Sequence, residues 1–307
     1  MNVVPITFCF DENLLVPAGV CITSLLENAK ETTFYDIFIL HSDTCNLAES
    51  PIHKLSQIYT NCRITCRTVG NVFKGAYEIR SITEAAYYRL LIPTLIPEYD
   101  KIIYADVDII FRDDLWECYD KVDLTDSYLA AVDVASAVRP EILSYKELLG
   151  ISSHAGYFNS GFLIFNSSLI RQDELTDVFL ELSKKKFKYQ DQDILNIACA
   201  DRVKYLSPEC NLQIIIVELF LSSFESLKQC FSAEEILIAI KNGIVHYNGA
   251  KPWKGLCYNQ DIWWSYYRKS IFFDEKYANA YYESLVNYTD SWSLIKRFKH
   301  LVRYFIH

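Results

Sequence analysis

No run of apolar residues in this 307-residue chain approaches the ~18 that a membrane-spanning helix needs, which excludes helical membrane spans. Positive charge is also short. Only 30 Lys and Arg stand against 39 Asp and Glu, a formal net charge of −9, and such a chain lacks the broad basic face with which nucleic-acid binders neutralise phosphate. No nucleic-acid partner is expected, and an anionic substrate must be met locally, by a metal ion or a few cations. The ten cysteines have no compact spacing, which argues against a disulfide framework and for reduced thiols in a cytoplasmic protein. Cys62 and Cys66 have no second Cys or His pair at zinc spacing. The opening MNVVPITFCFDEN has no basic stretch before its short apolar run, so a secretory signal is not expected. Internal repeats and low-complexity linkers are missing as well.

What is present is apolar and aromatic. Hydrophobic residues make up 51% of the chain, with 22 Tyr and 18 Phe, enough to bury one large core or two modest ones. Aromatic residues serve strand interiors and also flat surfaces on which sugars stack. Short β-branched or aromatic runs at 3–10, 35–40 and 62–69 alternate with helical patterns around 20–29 and 52–59. This rhythm predicts an α/β fold with a largely parallel sheet. Further along, the pattern predicts a helix over 82–93, a strand over 101–111, strands at 128–134 and 158–166, and two helices within 168–200; beyond 204 it is irregular as far as GIVHYNGAKPWKG. Ligands of such sheets lie beyond the carboxyl ends of the strands. There the first strand gives way to Asp11, Glu12 and Asn13, although an acidic helix start would read the same.

Asp106 and Asp108 interrupt the apolar run KIIYADVDIIF. Two carboxylates in such a place are costly to desolvate unless a cation compensates, and a divalent metal supplies one. Residues i and i+2 project to one side of a regular strand, so the pair can converge on one ion; a strand exit bonded to backbone amides is the other reading. A lone His on a short apolar strand, as His246 is in GIVHY, is more often a core residue than a ligand. Joined to two carboxylates, however, its imidazole suits Mn²⁺ better than Mg²⁺. Gly249 would let the backbone approach a phosphate, and Lys251 would place a charge on it. In YQDQDILN, Asp191, Gln192 and Asp193 exceed what helix capping requires and offer the mixed donors and acceptors that sugar hydroxyls need. Arg89, in AYYRLL, is a candidate for contact with a phosphate or sugar, or an exposed helix cation.

In order along residues 3 to 255, the stretches FxxDEN, YYRL, YADVDIIF, FNSGFLIFN, YQDQDILN and HYNGAKPW resemble the family 8 retaining glycosyltransferases, which include bacterial lipopolysaccharide galactosyl- and glucosyltransferases and glycogenin. The resemblance implies a GT-A nucleotide-diphospho-sugar transferase fold with a mixed, mainly parallel sheet. It also implies Mn²⁺ (Mg²⁺ as the alternative) and a UDP-galactose or UDP-glucose donor whose α configuration is kept. By motif matching, Asp106, Asp108 and His246 look like the metal ligands; Cys9, Asp11 and Asn13 fall where the family holds the nucleoside. Arg89, Asp133, Asn159, Asp191 and Gln192 fall where it holds the donor sugar, with Asp191 and Gln192 nearest the reacting carbon, and Gly249 and Lys251 where it holds the diphosphate. One departure concerns the last pair. Bacterial members commonly separate this Gly and Lys by two residues, whereas only Ala250 stands between them here, so Lys254 is the alternative to Lys251.

The chain is expected to divide into a GT-A catalytic domain, 1–265, and a helical, cationic amphipathic tail, 266–307. Wound at about 100° per residue, SWSLIKRFKHLVRYFIH gathers Leu294, Ile295, Phe298, Leu301, Val302, Phe305 and Ile306 on one face, and Lys296, Lys299, His300 and Arg303 on the other. A cationic amphipathic terminus in an acidic protein reads as a peripheral anchor on the inner face of the cytoplasmic membrane, suited to a lipid-linked or oligosaccharide acceptor; a helix docked on the protein's own core is the alternative. Two rival functions are weighed. A haloacid-dehalogenase-type phosphatase also carries Asp-x-Asp after an apolar strand, but near the N-terminus and without the Ile109-Ile110 that follows here. A non-catalytic UDP-sugar-binding scaffold in polysaccharide assembly would be expected to have lost some of the acids that this chain retains.

Overall fold

The computed structural model describes residues 1–45, 47, 50–78 and 83–305, with side chains to Lys299. Among these described residues ten strands form, in chain order β1 (Asn2–Cys9), β2 (Thr33–His41), β3 (Cys62–Thr68), β4 (Lys101–Ala105), β5 (Ile109–Ile110), β6 (Leu129–Asp133), β7 (Phe158–Asn166), β8 (Val203–Tyr205), β9 (Leu212–Gln213) and β10 (Val245–His246). Seven of them make one sheet in the order β3-β2-β1-β4-β7-β6-β8. All its pairs are parallel except those of β7, which runs against both β4 and β6. The other three form a small sheet, β5-β10-β9.

The near-continuous apolar strands follow from burial on both faces. Val4, Ile6 and Phe8 of β1 and Ile103 and Ala105 of β4 enter one core with the helix Leu15–Glu27. The alternate residues Cys9, Ile102 and Tyr104 enter a second core on the opposite face, with Tyr87, Tyr88 and Leu90, as the period of two dictates. Each fully buried Ile, Leu or Phe contributes about 1.5–3 kcal/mol. A third cluster braces the small sheet: Trp263, Trp264 and Tyr267 of the helix Gln260–Lys269 pack with Ala278 and Tyr281 against Ile110, Val245 and Tyr247. The helix Gln260–Lys269 runs through position 265, and Trp264 Nε1 donates to Pro252 O at 3.0 Å.

Several elements depart from the sequence pattern. The run 101–111 is not one strand, because β5 leaves the large sheet to pair with β10, and Asp106 to Asp108 form the turn between them. The expected helix at 82–93 is a 3-10 helix over Glu84–Leu91 followed by one α-turn, Ile92–Leu95; Ile82 lies outside the described residues. Side chains from Tyr87 to Leu91 are all buried, so packing rather than an amphipathic period sets this coil. Within 168–200 there are three helices, Ser167–Gln172, Leu175–Ser183 and Gln190–Cys199, the first break falling where Glu174 takes φ +52°. The stretch after 204 is more regular than its pattern: it holds helices Ile214–Ser222, Phe224–Leu227 and Ala233–Asn242, the last opened by a Ser232/Glu235 capping box.

Candidate active site

The chain changes sheets at the carboxyl end of β4, and this change builds the site. Asp106 N donates to Gly161 O (2.8 Å), which ties the turn to β7, while Tyr247 N donates to Asp108 O (2.9 Å), which ties it to the small sheet. Antiparallel pairing sets His246 opposite Ile109. As a result the ligand atoms of Asp106, Asp108 and His246 lie within 4.8 Å of one another. His246 Nε2 is 3.3 Å from Asp108 Oδ1 and 3.7 Å from Asp106 Oδ2. Its Nδ1 is 2.9 Å from Asn211 Oδ1, whose amide nitrogen donates to Asn159 Oδ1 at 2.9 Å. With an amide oxygen as partner, Nδ1 is the donor to Asn211, and Nε2 is the nitrogen that faces the two carboxylates. Two carboxylates with one imidazole, their ligand atoms this close, are a donor set for a divalent transition ion.

Arg89 buttresses the acids from beneath. It lies over the Tyr104 ring at 4.3 Å, bonds Ala86 O (2.8 Å), Ser160 O (2.7 Å) and Asp106 Oδ1 (2.8 Å), and meets Asp191 Oδ2 at 3.2 Å. It is thus a buried structural cation and not the exposed one that the helical pattern allowed. Asp191 also accepts from Ser160 Oγ at 2.9 Å. Burial pushes its carboxyl up to about 6, against the pull of Arg89. Gln192 Oε1 accepts from Asn159 Nδ2 (3.1 Å) and Ser160 N (3.3 Å), which fixes the amide beside Asp191. The helix carrying both residues is held by the fully buried Asp193, which accepts from Tyr145 Oη (2.6 Å), Tyr189 N (2.8 Å) and Tyr157 Oη.

The remaining sequence candidates take distinct places. Cys9 is buried at the end of β1, close enough to feel Arg89, Asp106 and Asp191, with its thiol pushed up by burial. Asp11 caps the turn that follows, accepting from Asn13 N at 2.9 Å, and Asn13 is exposed on the first helical turn. Asp133 holds its own loop, accepting from Ser136 N, Ser136 Oγ and Tyr157 N. Gly249 lies against Ile214. Lys251 reaches Asp108 Oδ2 and donates to Tyr247 O at 2.7 Å, so its charge rests on a metal-ligand candidate. Burial pushes the Asp108 carboxyl up, but Lys251 and His246 outweigh it and hold the group well below the usual carboxylate range. Sequence reasoning missed Gly161, Ser160 and Asn211. A Cβ at Gly161 would come within 2.2 Å of His246 Cε1 and 2.7 Å of Asp106 Oδ2, so only glycine fits. The flanking motif FNSGFLIFN was the available signal for Ser160 and Gly161; Asn211 had none.

A mixed, mainly parallel sheet, with a carboxylate and imidazole cluster where the chain passes to a small second sheet, is the GT-A fold of glycosyltransferases. The sequence model of glycosyl transferase family 8 matches residues 5–257, and the chain belongs to that family. A Haemophilus influenzae protein is 30% identical over 220 residues, which cover 69% of this chain and 63% of that protein. An Escherichia coli lipopolysaccharide 1,2-glucosyltransferase is 28% identical over 258 residues, 81% of this chain and 72% of the relative. Among solved structures, the galactosyltransferase LgtC in complex with donor and acceptor sugar analogs superposes with a TM-score of 0.73 at 25% identity, covering 90% of this chain and 99% of LgtC.

Proposed function

We propose that this chain is a retaining hexosyltransferase that moves glucose or galactose from a UDP-sugar to a glycan acceptor in lipopolysaccharide or other surface-polysaccharide synthesis. The observation that carries the reading is the convergence of Asp106, Asp108 and His246 within 4.8 Å, directly beside the fixed group of Arg89, Asp191, Asn159 and Gln192. The names of the relatives, a lipopolysaccharide glucosyltransferase and a galactosyltransferase with sugar analogs, support a hexose and a glycan. Asp106, Asp108 and His246 would hold the metal ion, Mn²⁺ by the preference of the imidazole and Mg²⁺ as the alternative. A divalent cation there supplies neutralisation of the charge that builds on a departing UDP.

The protein's own side chains orient the donor. Arg89 keeps Asp106 and Asp191 at fixed separation, while Asp191 and Gln192 present bonded, pre-oriented oxygens and nitrogens to the sugar. Cys9, Asp11 and Asn13 flank the nucleoside at the end of β1, and Gly249 allows close approach of the diphosphate. The acceptor hydroxyl loses its proton to the donor phosphate. Residues 266–281 pack on the body, and the last helix of the tail segment 266–307 holds the enzyme on the inner face of the cytoplasmic membrane. Support comes from the helix Leu294–Phe305, where Leu294, Ile295 and Phe298 are 83%, 70% and 68% exposed. No helix among the described residues is long and apolar enough to cross a membrane.

Release of UDP from a panel of UDP-sugars, measured with and without Mn²⁺, tests the reaction. One UDP-hexose should be turned over only with metal, and Asp108→Ala should lower the rate about a hundredfold or more. Absence of both turnover and metal-dependent UDP binding would reject the reading.

A further inference from the structure

Both candidate metal-ligand carboxylates already carry a cation from the chain itself: Arg89 on Asp106 and Lys251 on Asp108. The two cations are anchored very differently. The Arg89 side chain is 6% exposed and is tied to Ala86 O, Ser160 O, Ser160 Oγ and Asp106 as well as Asp191, so it stays in place whatever binds. Lys251 is 31% exposed and makes two contacts, to Asp108 Oδ2 and to Tyr247 O. The turn beneath it is pinned, with Lys251 O accepting from Lys254 N at 2.9 Å and Pro252 O from Trp264 Nε1 at 3.0 Å, so the freedom lies in the side chain alone. A long, flexible ammonium with that exposure can swing out of the cluster.

An ammonium on Oδ2 and a divalent ion on the same carboxylate repel each other at contact distance. We propose that Lys251 occupies the cation seat at Asp108 until a donor diphosphate draws its ammonium away, so that metal and nucleotide load together. This deepens, and rests on, the reading of Asp106, Asp108 and His246 as a metal site. The diphosphate is the stronger attractor because it offers several charged oxygens to one point charge. Linkage makes the effect reciprocal: whatever factor nucleotide adds to metal affinity, metal adds to nucleotide affinity. Lys251 is therefore a positioning residue with two seats, one on Asp108 and one on the donor.

The test is Mn²⁺ binding, followed by the spin-resonance signal of the free ion, in the full chain without nucleotide. Lys251→Met should bind Mn²⁺ about tenfold or more tighter than the wild type, and Lys251→Ala should do the same. Lys251→Arg, which keeps a cation in place, should remain as weak as the wild type. UDP titrated calorimetrically should strengthen with Mn²⁺ by a larger factor in the wild type than in Lys251→Met. Equal nucleotide-free Mn²⁺ affinity in the wild type, Lys251→Met and Lys251→Ala, with the wild type still forming a complex with Mn²⁺ and UDP, would overturn the proposal alone. Failure of the wild type to take up Mn²⁺ even with UDP would overturn the metal-site reading beneath it.

Discussion

At the scale of a single residue, Asp191 shows what the site costs the fold. Burial pushes its carboxyl up from an ordinary 3.8 to about 6. Between about pH 4 and pH 6 the folded state therefore holds more protons than the unfolded chain, and stability falls as pH rises through that window and stays lower above it. The expected size is on the order of 1–3 kcal/mol. Thermal unfolding of Asp191→Asn should accordingly gain on the wild type between pH 4 and pH 7, and a difference in melting temperature that is independent of pH would show that burial does not set this titration. A destabilised ion retained at such a place fits a group held for contact with substrate. Asp193, on the same helix, is likewise pushed up by burial, but its three donors hold the helix in place.

At the scale of elements, β7 comes close to β10 at His246, and glycine at 161 is what lets it. With a Cβ 2.2 Å from His246 Cε1, Gly161→Ala must push the imidazole or the strand aside. The expected cost is about 1–3 kcal/mol of stability, together with a loss of Mn²⁺ affinity that calorimetry would read; wild-type Mn²⁺ binding in that variant would show that His246 is not a ligand. This approach also marks where the sequence stopped being readable. The alternating strands β1 to β3 were visible as local runs, because a two-faced core imprints itself on every residue of a parallel strand. The acids at 106 and 108 stood out because they interrupt such a run. The constraint at Gly161 comes instead from a residue distant in the chain, as does the orientation of His246 by Asn211, and neither leaves a local pattern. The break between β4 and β5 was hidden for the same reason: apolar residues on both sides read as one strand until the partner of β5 is known. Lys251 was read as a phosphate ligand, and its contact with Asp108 could come only from three dimensions.

For the whole molecule, charge is divided between body and tail. The chain carries a net −9, while Lys296, Arg297 and Lys299 follow one another along the last helix beside the exposed Leu294, Ile295 and Phe298. A surface of anionic lipid would attract the tail and repel the body, which would orient the enzyme as well as hold it. Flotation with vesicles should show binding to anionic but not to purely zwitterionic lipid, weakening as salt approaches ~1 M. Replacing Leu294, Ile295 and Phe298 together by Glu should abolish binding and leave metal-dependent release of UDP unchanged; vesicle binding that survives this change would place the anchor elsewhere.

The pairing of β10 with β5 joins Ile109 and Ile110 to Val245 and His246, far later in the chain. During synthesis, Asp106 and Asp108 leave the ribosome long before His246 and Asn211 exist, with Arg89 already available to neutralise one of them. No nascent fragment that stops before residue 246 can bring His246 to the two carboxylates or close the small sheet, and domains fold as units once their last strand arrives. Completion of the carboxylate and imidazole cluster thus waits until β10 has been translated.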